Sequence, residues 1–261
     1  MTPAPSSPNL HLEVRDGVAL VRLQRAAKLN ALTPALMRDV IGMSAWLGEQ
    51  AAVRCVVLSG AGPAFCAGFD LGELRAGAGG ETDTADLGRQ FIDAWAAQPA
   101  LTIAAVHGHC LGGGLLLAAA CDLRVADADA QFALPEIDLG IPLAWGGIPR
   151  LVRLLGPTLA LEWVLDGTRI SAQQALALRF VNRCLEAGES AEDAALAWAA
   201  QLAQRPALVL HQTKRRFAQA IDALSPVAGS EADADMLREA LADGEVQAAI
   251  AAYRARHTRS D

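Results

Sequence analysis

Two short segments carry glycines where main-chain N–H groups, rather than side chains, would meet a ligand. In Gly108-His-Cys-Leu-Gly-Gly-Gly114, three consecutive glycines stand between a strand pattern and a helix pattern that is apolar all round. In Phe65-Cys-Ala-Gly-Phe-Asp70, one glycine closes a turn just after a buried strand pattern. Glycine at a helix start costs ~0.5–1 kcal/mol per residue relative to alanine, so such a run marks a close approach to the backbone. The first helical turn has N–H groups without intrahelical acceptors, and the helix dipole adds positive potential there. Developing negative charge is what that arrangement stabilises. Tight packing of helix on sheet, with no ligand, is the other reading of the same glycines.

Spacing removes the rival glycine-rich chemistries. Neither segment reads GxGxxG, no GK[ST] follows four free positions, and no G-x-S-x-G elbow occurs. The five cysteines, Cys55, Cys66, Cys110, Cys121 and Cys184, form no CxxC pair and have no zinc-type spacing to histidine. They read as reduced, mostly buried thiols of a cytoplasmic protein. No metal is expected.

The elements that must hold these segments alternate. Leu10 to Arg15 and Val18 to Leu23 read as a hairpin around Gly17, and Thr33-Pro34 as the cap and first residue of a helix running to about Gln50. Val53 to Ser59 is an apolar, β-branched buried strand, and Leu101 to Val106 the next. The Gly- and Thr-rich stretch 76–84 reads as a mobile loop, with a helix from Asp86 to Gln98. Gly112 to Cys121 reads as a buried helix; Asp122 to Ala126 and Gln131 to Leu134 read as short strands. Beyond Gly146 helices dominate, and Ser171-Ala-Gln-Gln has the pattern of a capping box. Strands interleaved with helices, then helices alone, predict an α/β core with a helical C-terminal part.

The 261 residues suffice for one sizeable domain, and 52% hydrophobic against 20% charged residues predicts a packed globule. The net charge of −7 gives no general attraction to nucleic acid or anionic lipid. No run of about 18 uncharged apolar residues predicts a membrane span. The first eight residues lack the basic and apolar regions of a signal peptide.

Five stretches together resemble the enoyl-CoA hydratase/isomerase (crotonase) family: Lys28-Leu-Asn-Ala-Leu32, Phe65-Cys-Ala-Gly-Phe-Asp-Leu71, Ala104 to Gly114, Cys121-Asp-Leu-Arg-Val-Ala126, and Ala130 to Gly140. They occur in the family's order and cover roughly residues 10–260. The resemblance implies a spiral of ββα turns with a helical C-terminal trimerisation region. The chain then divides into a tail over 1–9, a spiral core over 10–200 and C-terminal helices over 201–261. It also implies a coenzyme A thioester as substrate, no separate cofactor, and a homotrimer or hexamer.

Carried over residue by residue, the resemblance makes the backbone N–H groups of Phe69 and Gly113 the oxyanion hole for the thioester carbonyl, and Glu136 the acid–base residue. Arg25 and Lys28 are expected at the CoA phosphates and the Ala67 backbone at the adenine. Gly68, Asp70, Leu116 and Trp145 complete the expected substrate contacts. Hydratases of the family use a second glutamate two residues after the glycine run, and here that residue is Leu116. One carboxylate in an apolar pocket can move a proton from C2 to C4, as in the family's Δ3,Δ2-enoyl-CoA isomerases, so a double-bond shift is favoured over hydration. A catalytically weak acyl-CoA binder is the further alternative. Ala144 stands where dehalogenases and dienoyl-CoA isomerases carry an acid, which argues against both. His107, His109 and Asp138 are secondary candidates. Ile250, Tyr253 and Arg254 occupy the region that in relatives reaches a neighbouring subunit's ligand.

Overall fold

The computed structural model describes residues 3–73, 84–227, 230 and 232–257, so of the stretch expected as a mobile loop only Thr84 falls within the described residues. Nine strands are described: β1 Leu10–Arg15, β2 Val18–Leu23, β3 Cys55–Gly60, β4 Leu101–Val106, β5 His109–Leu111, β6 Leu123–Ala126, β7 Gln131–Ala133, β8 Ile170–Ser171 and β9 Arg183–Cys184. The ten α-helices are α1 Pro34–Gly48, α2 Thr84–Ala96, α3 Gly113–Ala119, α4 Gly147–Leu155, α5 Pro157–Asp166, α6 Ala172–Ala177, α7 Ala191–Leu202, α8 Ala207–Leu224, α9 Ala232–Ala242 and α10 Gly244–His257.

Six strands form one sheet in the order β1-β2-β3-β4-β6-β9, and β5-β7-β8 form a second. β1 and β2 are the expected hairpin, joined by Asp16 and Gly17 at φ 50° and 80°. Two consecutive left-handed residues give the primed turn whose twist matches the strands. From β2 to β9 every neighbouring pair in the large sheet is parallel.

The central strands are covered on both faces, which is why β3 reads as a continuous apolar run. Val56, Leu58, Ala104 and Val106 face the large core under α1, α2 and α3. The alternate residues Cys55, Val57, Ile103 and Ala105 face Ala191, Ala195, Ala199 and Ala203 along α7. That four-residue spacing puts all four alanines on one stripe and lets the helix lie close to the sheet.

Two helix starts match their sequence signals. The Thr33 side chain accepts from the Leu36 N–H at 3.3 Å, and Ser171 with Gln174 forms the complete capping box. The N-terminal tail is less loose than expected: Ser7 Oγ and Asn9 Nδ2 both donate to Asp39 on α1, each at 2.7 Å. Strands β5, β8 and β9 went unforeseen because two or three residues are too few to show a period.

Candidate active site

Three loops and a helix start converge on one cavity of about 120 Å³. The loop after β2 turns through Leu29 and Asn30, both left-handed at φ 49° and 55°. Asn30 is fully buried and works as a clamp. Its Oδ1 accepts from the Arg25 N–H at 2.9 Å, while Nδ2 donates to the Ala61 and Ala64 carbonyls at 2.9 and 2.7 Å. This ties the loop after β2 to the loop after β3.

The second loop, Phe65 to Asp70, is held from both sides. The Phe65 and Cys66 amides donate to the His107 and His109 carbonyls, and the Leu111 amide donates to the Cys66 carbonyl. On the other side, the Leu32 amide donates to Gly68 O at 2.7 Å and the Asp70 amide to Leu32 O at 2.8 Å. In a parallel bridge of this kind the residue between those two partners turns its own N–H away. That residue is Phe69, and its amide has no backbone acceptor among the described residues. Gly68, at φ 94°, makes the turn possible; a Cβ there would stand 2.9 Å from the Leu111 carbonyl oxygen.

Gly113 is the first residue of α3, so its amide lies in the unpaired first turn. Phe69 and Gly113 both line the same cavity, and neither amide has a backbone acceptor among the described residues. Each glycine of the triple run has its own steric reason. Gly112 has φ 49°, and a Cβ on it would stand 2.8 Å from Glu136 Oε1. On Gly113 a Cβ would stand 2.5 Å from the Trp145 ring, and on Gly114 2.6 Å from the Cys66 carbonyl oxygen. Close packing and an open amide therefore coexist in one segment.

Glu136 follows β7 and starts the short 3-10 turn Ile137–Leu139, which Gly140 closes in the left-handed region. The residue is only partly covered, but its carboxyl oxygen Oε2 is sealed from solvent and has no hydrogen-bond partner. Desolvation raises the pKa from 4.5 to about 7, against a smaller lowering by its own backbone N–H. Glu136 is the one carboxylate among the described residues lining the cavity; Leu116, Leu139, Ile141, Leu143, Ala144 and Trp145 supply apolar walls.

Trp145 has two local costs. Its φ of 60° is left-handed, worth ~1–2 kcal/mol for a bulky residue. Its buried Nε1–H has no acceptor among the described residues, a further ~1–3 kcal/mol.

The structure brings Glu136, Phe69, Gly113, Ala67, Gly68, Leu116 and Trp145 to the cavity, but not Arg25, Lys28 or Asp70. Arg25 is occupied: its guanidinium donates to the Ala31 carbonyl and pairs with Asp70 Oδ2 at 3.3 Å. Those two residues neutralise each other beside the loops they hold. Lys28 is exposed at the end of a 3-10 turn. The Ala67 amide is already used, donating to Leu29 O at 2.9 Å. His107 meets the Gly62 carbonyl at 3.0 Å and His109 sits on β5; neither lines the cavity, and Asp138 is exposed.

Sequence reasoning missed the C-terminal lining. Leu237 and Leu241 of α9 and Tyr253 of α10 line the cavity of their own chain. Arg254 Nη2 donates to the Leu71 carbonyl at 2.6 Å, and Ile250 is buried. That the C-terminal stretch is helical was legible, but not which cavity α9 and α10 would cover. No helix among the described residues is long and apolar enough to cross a membrane, and none of their His, Cys, Asp and Glu side chains group as a metal site.

Comparison with known proteins agrees with this arrangement. The family described as enoyl-CoA hydratase/isomerase matches residues 13–259. A mevalonyl-coenzyme A hydratase of Beauveria bassiana is 34% identical over 241 residues, 88% of this chain and 85% of that protein. A probable enoyl-CoA hydratase of Mycobacterium bovis is 38% identical over 199 residues, 76% of each chain. An enoyl-CoA hydratase/isomerase structure from Mycobacterium paratuberculosis superposes with TM-score 0.86 at 25% identity, covering 94% of this chain and 98% of the other. An enoyl-CoA hydratase structure from Bacillus anthracis gives 0.78 at 32%, covering 87% and 89%. The crotonase-type α/β fold with its helical C-terminal region follows from these neighbours. With one family matched across nearly the whole sequence, and a third of the residues shared with a relative over most of its length, the chain belongs to the enoyl-CoA hydratase/isomerase family.

Proposed function

We propose that this acyl-CoA enzyme stabilises a thioester enolate and uses Glu136 alone as its proton carrier, shifting the double bond of an enoyl-CoA. The observation that supports this is a single sealed carboxylate, with no second one among the described lining residues, in the cavity that Phe69 and Gly113 also line. In the ionised state Glu136 takes the proton from C2 of a 3-enoyl thioester. The electron pair moves onto the thioester oxygen, where two preorganised amides are worth ~3–4 kcal/mol each. The protonated carboxyl then returns the proton to C4 as the double bond settles between C2 and C3. Atoms balance, and Glu136 ends as it began. A pKa near 7 suits both halves of the cycle.

Hydration is the second reading, favoured by the relatives named as hydratases. There Glu136 alone would position and deprotonate the water, because the neighbouring position is Leu116.

Incubation with 2- and 3-enoyl-CoA in deuterated water separates the two. Conversion of 3-enoyl- to 2-enoyl-CoA without a 3-hydroxy product is the expected result, with deuterium at C4 only where the proton held by Glu136 exchanges with solvent; a 3-hydroxyacyl product selects hydration. Glu136→Gln should lower kcat by at least 100-fold in either case, and unchanged turnover removes Glu136 from the mechanism.

Self-association belongs to the same reading. Helix α8 buries none of its residues and exposes Leu208, Val209, Phe217 and Leu224, a face suited to contact between copies in a trimer or a dimer of trimers.

A further inference from the structure

One wall of the cavity is a single large ring held in a slot made by two glycines. Gly88 lies in the middle of α2, buried, at a position where glycine weakens the helix. A Cβ there would stand 1.9 Å from Trp145 Cε2, so only glycine leaves room for the indole. Gly113 of α3 makes the other side, with 2.5 Å between its would-be Cβ and Cζ3. Phe69 meets the ring edge-on, centroids 6.0 Å apart and planes at 80°. The backbone under the ring is also fixed. Trp145 and Gly146 are both left-handed, and Arg150 Nη1 donates to their carbonyls at 3.3 and 3.0 Å. The Gly146 amide donates to Asp233 on α9 at 2.7 Å, and Arg150 is anchored by Asp93 on α2 at 2.5 Å. These ties fix the main chain that carries the ring, and contact with Gly88, Gly113 and Phe69 confines the indole itself. A strained, unpaired bulky residue that is so thoroughly held points to a role in the site.

We propose that Trp145 is the specificity-determining residue of this cavity: seated between Gly88 and Gly113, its indole ends the acyl pocket and restricts the protein to short, apolar acyl thioesters. The inference rests on the acyl-CoA reading above. The ring touches both residues whose amides receive the thioester oxygen, so an acyl chain leaving that carbonyl meets the indole within a few bonds. The cavity's ~120 Å³ is small beside the roughly 300–1,000 Å³ of pockets that enclose drug-sized ligands. Leu143, Leu237 and Leu241 make the adjoining walls apolar, so a charged acyl terminus finds no partner among them.

The test measures calorimetric binding of saturated butanoyl-, hexanoyl- and decanoyl-CoA, which need no turnover, to the wild type and to Trp145→Ala, Trp145→Phe and Trp163→Phe. The wild type is expected to bind butanoyl-CoA at least tenfold more tightly than decanoyl-CoA. Trp145→Ala should improve decanoyl-CoA binding at least tenfold while changing butanoyl-CoA less than threefold. Trp145→Phe should give a smaller gain in the same direction, and it decides the matter if the alanine variant does not fold. Trp163→Phe, a buried ring on α5 outside the cavity, should leave the chain-length ratio within threefold of wild type. Equal wild-type affinity for butanoyl- and decanoyl-CoA, an unchanged ratio in the folded Trp145 variants, or an equal shift in Trp163→Phe overturns the proposal. Failure of the wild type to bind any of the three thioesters overturns the acyl-CoA reading instead.

Discussion

A carboxyl group sealed in an apolar wall governs both reactivity and stability at Glu136. Its pKa is raised, so the folded state favours the protonated acid relative to the unfolded chain. The stability that this acid contributes is complete below about 4.5 and is lost as pH rises through about 7. Moving from 4.5 to about 7 is worth roughly 3 kcal/mol as an upper bound. Glu136→Gln, which keeps the shape and removes the titration, should therefore raise the melting temperature at pH 8 and change it much less at pH 5. Thermal unfolding at the two pH values checks this. In the wild type, kcat/KM for a 3-enoyl thioester should climb with pH through an apparent pKa near 7, because the attacking form is the carboxylate. A flat profile from pH 5.5 to 8.5 contradicts that role. At this scale the chain itself was informative about residue types. Glu136, the glycines and the apolar Leu116 are visible in it, but the seat of the carboxyl against Gly112, far off in the sequence, is not.

Helix α3 is built against its own propensity. Gly114 weakens its first turn, and alanine there should on local grounds strengthen it by about 1 kcal/mol. Tertiary packing reverses the sign: the added methyl would stand 2.6 Å from the Cys66 carbonyl oxygen, 2.7 Å from its Cβ and 2.8 Å from its Sγ. Those atoms belong to a buried, doubly hydrogen-bonded loop that has no room to yield. Gly114→Ala is expected to destabilise by about 1–3 kcal/mol in urea unfolding, and a stabilised variant refutes the packing account. The strand pattern gave β1, β2 and β4 to the residue, and the long helices to within two or so at each end. The short strands β5, β8 and β9 depend on partners across the sheet, so no local pattern announces them.

Across the whole molecule, the exposed apolar face of α8 is the feature that a lone chain leaves unexplained. Phe217 is 66% exposed and Leu224 87%. Sedimentation should give a mass of three or six times the 27.3 kDa chain. Phe217→Glu should shift the population toward smaller species, with activity per folded site falling less than the assembly does. A monomer at micromolar concentration in the wild type contradicts the association reading. The C-terminal helices bear on the same scale, since α9 and α10 roof the cavity of their own chain through Leu237, Leu241 and Tyr253.

The resemblance to the family picked out Glu136 and the two amides; the amino-acid sequence alone determined the glycine-rich segments and the alternation that sets an α/β core. These are properties of residue type and near-neighbour spacing, which survive without coordinates. Tertiary structure decided which of them meet. It placed Glu136 against Gly112, set Trp145 between Gly88 and Gly113, and paired Arg25 with Asp70 away from the cavity wall. Those outcomes depend on close packing between elements far apart in the chain, where a methyl group or a single hydrogen bond selects the arrangement and no local propensity carries the information.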